Sequence, residues 1–194
     1  MITQLRRKLS GNTGFSILEV LIAALITGIL AASTFQFYTS MHGQSEIQYD
    51  VSETQHLCRA SLHDIKKNLR MAGYKITGHP SFEISGDSLS IYYSDANPVD
   101  TVTYYLEEFS TSDYYRVKPY VEGMVLYKLM RRVNSESPAI CTDFIQSIRF
   151  VQLNARTISI SVTAQSSKMD DTYQLNNGFR TYSMSERVTM RNVS

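Results

Sequence analysis

Glu19 is the residue whose chemistry contrasts most with its surroundings in the chain. It is the one charged side chain in residues 15–32, a run that is otherwise almost entirely apolar. A carboxylate at bilayer depth costs roughly 2.5–3.5 kcal/mol on insertion scales. Opposite charges attract more strongly in a low dielectric than in water, so a cation beside Glu19 would offset that cost. The pattern predicts an ion pair that sets register during assembly, with no role in catalysis.

The histidines do not form a recognisable catalytic or metal-binding pattern. His56 and His63 are seven residues apart on one side of a predicted helix, but no carboxylate or cysteine completes a zinc pattern with them, and His42 and His79 stand alone. The sequence has no nucleophile elbow, no phosphate-binding loop and no CxxC motif. We therefore expect no enzymatic activity, no catalytic residues, no metal and no cofactor.

Oxygen-bearing side chains, the type that binds calcium, gather at Asp95, Asn97 and Asp100. Their spacing differs from that of an EF-hand. Asp and Asn beside Pro98 are typical of a turn, so we predict a turn there.

Hydrophobic periodicity predicts the elements that position these residues. Apolar side chains recur at steps of three and four from residue 47 to residue 72, which indicates a helix with one buried face, and Gly73 suits its end. Together with the apolar run, this predicts one helix over residues 15–72. Strands are predicted at residues 82–84, 88–93, 101–106, 114–118, 124–133, 144–153, 156–164 and 182–190, with an exposed loop at 166–178. The expected fold class is α+β, a long N-terminal helix packed on an antiparallel sheet.

Length and charge limit the possible partners. The 194 residues suit one apolar helix and one domain of ordinary size. The whole chain has a formal net charge of +1 and residues 1–14 hold three basic and no acidic residues, so the remainder carries −2. This charge indicates no nucleic-acid partner, although it leaves a local basic patch open.

Residues 14–22, Gly-Phe-Ser-Ile-Leu-Glu-Val-Leu-Ile, follow a short leader that contains Arg6, Arg7 and Lys8. This arrangement resembles the N-terminus of type IV prepilins and of the related type II secretion pseudopilins. The resemblance implies that prepilin peptidase cuts between Gly14 and Phe15 on the cytoplasmic side and methylates the new amine of Phe15. It also implies that Glu19 pairs with the N-terminal amine of a neighbouring subunit. A plain signal anchor, or a signal peptide cut before Thr34, is the alternative.

Three later segments narrow the resemblance to PilW/PulJ-like minor pilins. They are Leu-Arg-Met-Ala-Gly-Tyr at residues 69–74, Asp-Ser-Leu-Ser-Ile-Tyr-Tyr at 87–93 and Arg-Val-Thr-Met-Arg-Asn at 187–192. The implied function is that of a minor pilin that initiates or caps type IV pilus assembly. A type II secretion minor pseudopilin of the J kind is the close alternative. A tip binding or adhesion module and a membrane-anchored periplasmic enzyme are further hypotheses, and the last lacks a site.

The resemblance also implies an organisation and a location. The expected segments are a cleaved leader (1–14), a transmembrane and assembly half of the helix (15–38), its amphipathic half (39–73) and a β-rich head (74–194). The implied partners are prepilin peptidase, other minor and major pilins bound through the N-terminal helix, and the inner-membrane assembly platform. The chain would cross the inner membrane once with its head in the periplasm, and would reach the pilus or cell surface on assembly.

Cys58 and Cys141 are the two cysteines of the chain. A head outside the cytoplasm would lie where disulfides persist. A bridge would close a loop of about 82 residues, with a model stabilisation of roughly 4–5 kcal/mol. We predict this disulfide, and two buried free thiols are the alternative.

Overall fold

A computed structural model describes residues 15–94, 99–119 and 121–192 of the chain. One long helix is followed by seven strands and two short 3-10 helices. Their bounds are α1, Ile17–Met71; β1, Phe82–Ser85; β2, Ser88–Tyr93; β3, Asp100–Glu108; the first 3-10 helix, Tyr114–Arg116; β4, Tyr127–Val133; β5, Ala139–Asn154; β6, Thr157–Met169; the second 3-10 helix, Asn176–Gly178; and β7, Phe179–Thr189.

Helix α1 confirms the helix predicted over residues 15–72. It ends where Gly73 adopts φ +79°, a left-handed conformation that glycine reaches without steric cost. A Cβ atom at Gly73 would lie 2.6 Å from the carbonyl oxygen of Asn192 and 2.7 Å from Ser81 Oγ. The end of α1 therefore needs glycine both for its backbone angle and for the close approach of two other segments.

The seven strands form one antiparallel sheet in the order β1-β2-β3-β4-β5-β6-β7, so that each strand pairs with its neighbour in sequence. In β6 the alternation predicted from sequence is present, since Ile158, Ile160 and Val162 are buried while Ser159 and Ser161 are partly exposed. Such alternation lets one face of a sheet cover a core and leaves the other face to solvent.

The second half of α1 packs on the buried face of this sheet. Its residues Cys58, Leu62, Ile65 and Leu69 are at most 1% exposed and belong to one hydrophobic cluster with inward-facing strand residues. The strand members are Leu89, Ile91, Val102, Tyr104, Leu129, Ile145, Ile148, Phe150, Ile158, Ile160, Val162, Ala164 and Val188. Burial of each large apolar side chain contributes about 1.5–3 kcal/mol. The predicted α+β class, a helix packed on an antiparallel sheet, is confirmed.

A smaller hydrophobic cluster lies outside this core, and it contains Phe109, Val117, Leu126, Phe144 and Phe179. Phe144, with φ +56°, sits at a register shift between β4 and β5, where a bulge redirects the strand.

The strand predicted at 114–118 is wrong. Tyr114–Arg116 forms a 3-10 helix, because the Asp113 carboxylate accepts hydrogen bonds from the Ser110 backbone N–H (2.9 Å) and from Lys128 Nζ (2.7 Å) and so holds a turn. These bonds, Lys128 first, lower the pKa of Asp113 to about 2.

The strands β5 and β6 are longer than predicted. Residues 166–169 continue β6, so the loop predicted at 166–178 is shorter.

The chain forms two compact units that divide between Ser45 and Glu46. Helix α1 contributes to both. The first unit contains its apolar part, and the second contains the rest of the helix and the whole sheet.

Candidate functional site: a carboxylate on an apolar helix

Ser16 starts helix α1 and thereby positions Glu19. Its Oγ accepts a hydrogen bond from the Leu18 backbone N–H at 3.3 Å, and its carbonyl accepts from the N–H groups of Glu19 (3.0 Å) and Val20 (3.2 Å). A serine cap of this kind satisfies donors that a helix start leaves open. Glu19 thus falls in the first helical turn, where the positive end of the helix dipole favours a carboxylate.

The surface around Glu19 is apolar and uncovered. Glu19 shares a shallow groove of about 340 Å³ with Ser16, Leu18, Ile22, Ala23 and Ile26. Phe15 precedes the helix and is 80% exposed. Among the described residues, no side chain forms an ion pair with Glu19. The described residues therefore present an unpaired carboxylate at the start of an apolar groove.

Polar side chains in the apolar part of α1 form hydrogen bonds within the helix. Every residue from Phe15 to Glu46 is exposed in the single chain. Its hydroxyl groups bond within the helix: Thr27 Oγ1 donates to the Ala23 carbonyl at 2.7 Å, Ser33 Oγ to Ile29 at 2.9 Å and Thr34 Oγ1 to Leu30 at 2.8 Å. A membrane-spanning helix must satisfy its polar groups internally. Over the described residues, α1 is the one helix long and apolar enough to cross a membrane.

The predicted site residues divide between described and undescribed parts of the chain. Phe15 and Glu19 lie four residues apart at the start of α1, as the sequence requires. Gly14, on the other side of the predicted cleavage point, lies outside the described residues.

In the second unit, Asp50 fixes the helix to strand β6. Its side chain is 7% exposed and accepts hydrogen bonds from Ser167 Oγ at 2.6 Å and from the Lys168 backbone N–H at 3.1 Å. One helical turn earlier, Glu46 pairs with Lys168 Nζ at 3.0 Å. These contacts join residues more than a hundred positions apart, and the sequence analysis missed them. A carboxylate on the buried helix face was the available signal.

A second polar contact crosses from α1 to strands β3 and β4. The hydroxyl of Tyr104, which is fully buried, donates to Asp64 Oδ2 at 2.7 Å and accepts from Asn68 Nδ2 at 2.5 Å. Arg131 Nη1 approaches the same carboxylate at 3.4 Å. Burial, and then the Asp64 carboxylate, raise the pKa of Tyr104, which therefore remains a neutral hydrogen-bond donor.

The disulfide predicted between Cys58 and Cys141 is not present, and both residues are free thiols. Each has its own surroundings. Cys58 contacts the backbone of Ala164, whereas Cys141 lies beside Asp64 and Arg131. Burial raises the pKa of each thiol to about 11. Cys58 belongs to the main hydrophobic cluster and Cys141 packs against it, so both pack as small hydrophobic side chains.

The remaining candidates give no metal site among the described residues. No group of three or more His, Cys, Asp or Glu side chains there is arranged to hold a metal ion. Asp100 Oδ1 accepts a hydrogen bond from Asn134 Nδ2 at 2.9 Å, whereas Asp95 and Asn97 lie outside the described residues. His56 and His63 are exposed on α1.

Comparisons of this chain with protein-family models, with curated proteins and with solved structures give no match. Its function must therefore be inferred from its own residues and geometry.

Proposed function

We propose that this protein is a minor pilin, a structural subunit that takes part in initiating or capping type IV pilus assembly. The observation that carries the proposal is Glu19, a carboxylate without an ion-pair partner among the described residues, at the start of an exposed apolar helix. The described residues offer no cation to offset this charge in lipid. A bundle of such helices does offer one, because a neighbour's N-terminal amine can pair with the carboxylate.

The other features of the chain fit the same role. The apolar part of α1 inserts in the inner membrane. The head, which includes the sheet-covered part of the helix, lies in the periplasm. Prepilin peptidase removes the basic leader and methylates Phe15, and the helix then packs against other pilins on the assembly platform. The uncovered apolar surface of α1 is what such packing would bury.

N-terminal mass spectrometry of the purified protein tests this proposal. When the chain is produced with an active prepilin peptidase, the N-terminal peptide should begin at Phe15 and carry one methyl group. Without the peptidase, the leader that contains Arg6, Arg7 and Lys8 should remain. A mature protein that begins at Thr34, or a leader retained in both strains, would overturn the assignment.

A further inference from the structure

The solvent face of α1 in the second unit carries a straight row of basic side chains. Its members are His56, Arg59, His63, Lys67 and Arg70, at steps of three and four residues, and all five are exposed. These steps keep the side chains on one helical face over about 21 Å, at 1.5 Å per residue. The buried residues Cys58, Ile65 and Leu69 lie on the opposite face. We call this row the basic ridge.

The charges of the basic ridge are not neutralised within the described residues. Arg59, Lys67 and Arg70 form no ion pair there, whereas Lys66, beside the ridge, pairs with Glu186. The nearest acids on α1 are Glu53, one turn before the ridge begins, and Asp64, which is already engaged by Arg131 and Tyr104. Three fixed cations therefore face solvent without a counter-ion from this part of the chain.

The C-terminal segment adds to the far end of the ridge. Asn192 Nδ2 donates to the carbonyl oxygen of Arg70 at 3.4 Å, which places the exposed Arg191 next to the last turn of α1. The positive surface thus combines residues that are distant in sequence.

The composition of the ridge favours one class of partner. Protein interfaces are enriched in aromatic residues, methionine and arginine, are poor in lysine, and bury apolar side chains at their centres. The ridge has no large apolar side chain to bury against another protein. Membrane-surface helices also need apolar side chains to insert, and the ridge begins well beyond the apolar run of α1. A row of unpaired arginine and lysine along one helix is the electrostatic pattern that binds the phosphates of a nucleic acid.

We propose that the basic ridge binds the phosphate backbone of double-stranded DNA without reading its sequence. Arg59, Lys67 and Arg70 supply the phosphate contacts. The proposal goes beyond the assembly role and does not depend on it, because it concerns the second unit alone. The net charge of the chain conceals this site, since acidic residues elsewhere balance the ridge.

Fluorescence anisotropy with a short labelled DNA duplex tests the proposal on the full chain in uncharged detergent micelles. At low salt we expect a Kd between about 1 and 100 µM, and a slope of log affinity against log salt of about −3, because each neutralised phosphate contributes about −0.9. The triple variant Arg59→Gln, Lys67→Gln and Arg70→Gln should bind at least about tenfold more weakly and lose most of that slope. The charge-preserving triple Arg59→Lys, Lys67→Arg and Arg70→Lys should retain binding.

Two matched controls separate the ridge from general electrostatics. The first control is a triple variant that removes the same charge from exposed sites on the sheet: Arg149→Gln on β5, Arg156→Gln at the turn between β5 and β6, and Arg187→Gln on β7. It should leave the affinity for DNA unchanged. The second control removes the three positive charges of the leader, with Arg6→Gln, Arg7→Gln and Lys8→Gln, and should also leave the affinity for DNA unchanged. Equal losses in the ridge and sheet variants, or displacement of the duplex by polyglutamate as readily as by unlabelled DNA, would overturn the proposal.

Discussion

Two carboxylates on α1, those of Asp50 and Glu19, have different surroundings and therefore different roles. Asp50 is buried, and the head supplies its donors from Ser167 and Lys168. Glu19 lies on an apolar surface with no ion-pair partner among the described residues. A buried carboxylate that is fully hydrogen-bonded stabilises the fold, whereas one left without a partner in lipid is costly. Asp50 is therefore a structural residue, and Glu19 is available to bind a partner.

The first residue-level prediction concerns Glu19→Ala and Glu19→Gln. Both should insert in the membrane and be cleaved at wild-type levels, because the segment becomes more apolar or loses only its charge. Both should be incorporated into fibres poorly, since a neighbouring amine loses its countercharge. Immunoblotting of sheared fibres against membrane fractions measures this. Thr27→Val, which changes a self-bonded hydroxyl in the same segment, should assemble normally. Normal assembly of Glu19→Gln would show that the charge does not set the register.

The second residue-level prediction concerns the two thiols. Unreduced protein in denaturant should react with two equivalents of an alkylating reagent, because both cysteines are free. In the native state at pH 8, the thiolate fraction should be about a hundredfold smaller than at the ordinary pKa of 9.0, because the pKa of each thiol is raised to about 11. Native alkylation should therefore accelerate as pH rises toward 11. Cys141, which is partly exposed, should react before the fully buried Cys58, and Cys58→Ser identifies each rate.

At the level of elements, the two parts of helix α1 differ in how their apolar surface is covered. Its first part is apolar and uncovered, and its second part has one apolar face that is buried under the sheet from Cys58 to Leu69. The transition needs no break in the helix, because backbone hydrogen bonds continue while the side-chain pattern changes. The end of the helix is fixed instead by Gly73, which two distant segments approach.

The element-level prediction compares Gly73→Ala with Gly78→Ala. Both glycines have positive φ, +79° and +75°, so alanine is strained at either position. At Gly78 a Cβ atom meets nothing within 4 Å, whereas at Gly73 it collides with Asn192 and Ser81. We expect Gly78→Ala to lower the free energy of unfolding by about 1 kcal/mol and Gly73→Ala to lower it by roughly 2–4 kcal/mol. Denaturant unfolding measures both values, and equal losses would show that the close approach at Gly73 carries no cost.

At the scale of the whole molecule, the second unit has its own core. The cluster that contains Leu62 and Ile65 joins α1 to β2–β7, and Asp50 and Asp64 add polar contacts between the same parts. The helix segment from Glu46 onward is therefore as much a part of the head as the sheet is.

The whole-molecule prediction concerns two truncations. Residues 46–194 should fold as a soluble unit with a cooperative thermal transition by circular dichroism. Residues 74–194, which lack the helix face, should aggregate, because the buried side of the sheet is then exposed. A stable, cooperative 74–194 fragment would show that the sheet needs no helix to form its core.

Local sequence was sufficient for the features that depend on neighbours along the chain. The steps of three and four from residue 47 to residue 72 predicted α1 and its buried face, because helical periodicity is a local property. The alternation at residues 158–162 predicted β6 for the same reason. The isolation of Glu19 was visible in the run that surrounds it.

Only the tertiary structure decided the features that depend on residues far apart. The predicted strand at 114–118 is a 3-10 helix because Lys128 and Ser110 hold Asp113 in a turn. Cys58 and Cys141 are free thiols that pack in or against the main hydrophobic cluster, where the sequence alone favoured a bridge. The basic ridge is concealed in the net charge, and only the folded chain shows that Arg59, Lys67 and Arg70 form no ion pair among the described residues. The ion pair between Lys128 and Asp113 joins residues 15 positions apart, and local periodicity carries no signal for such a contact.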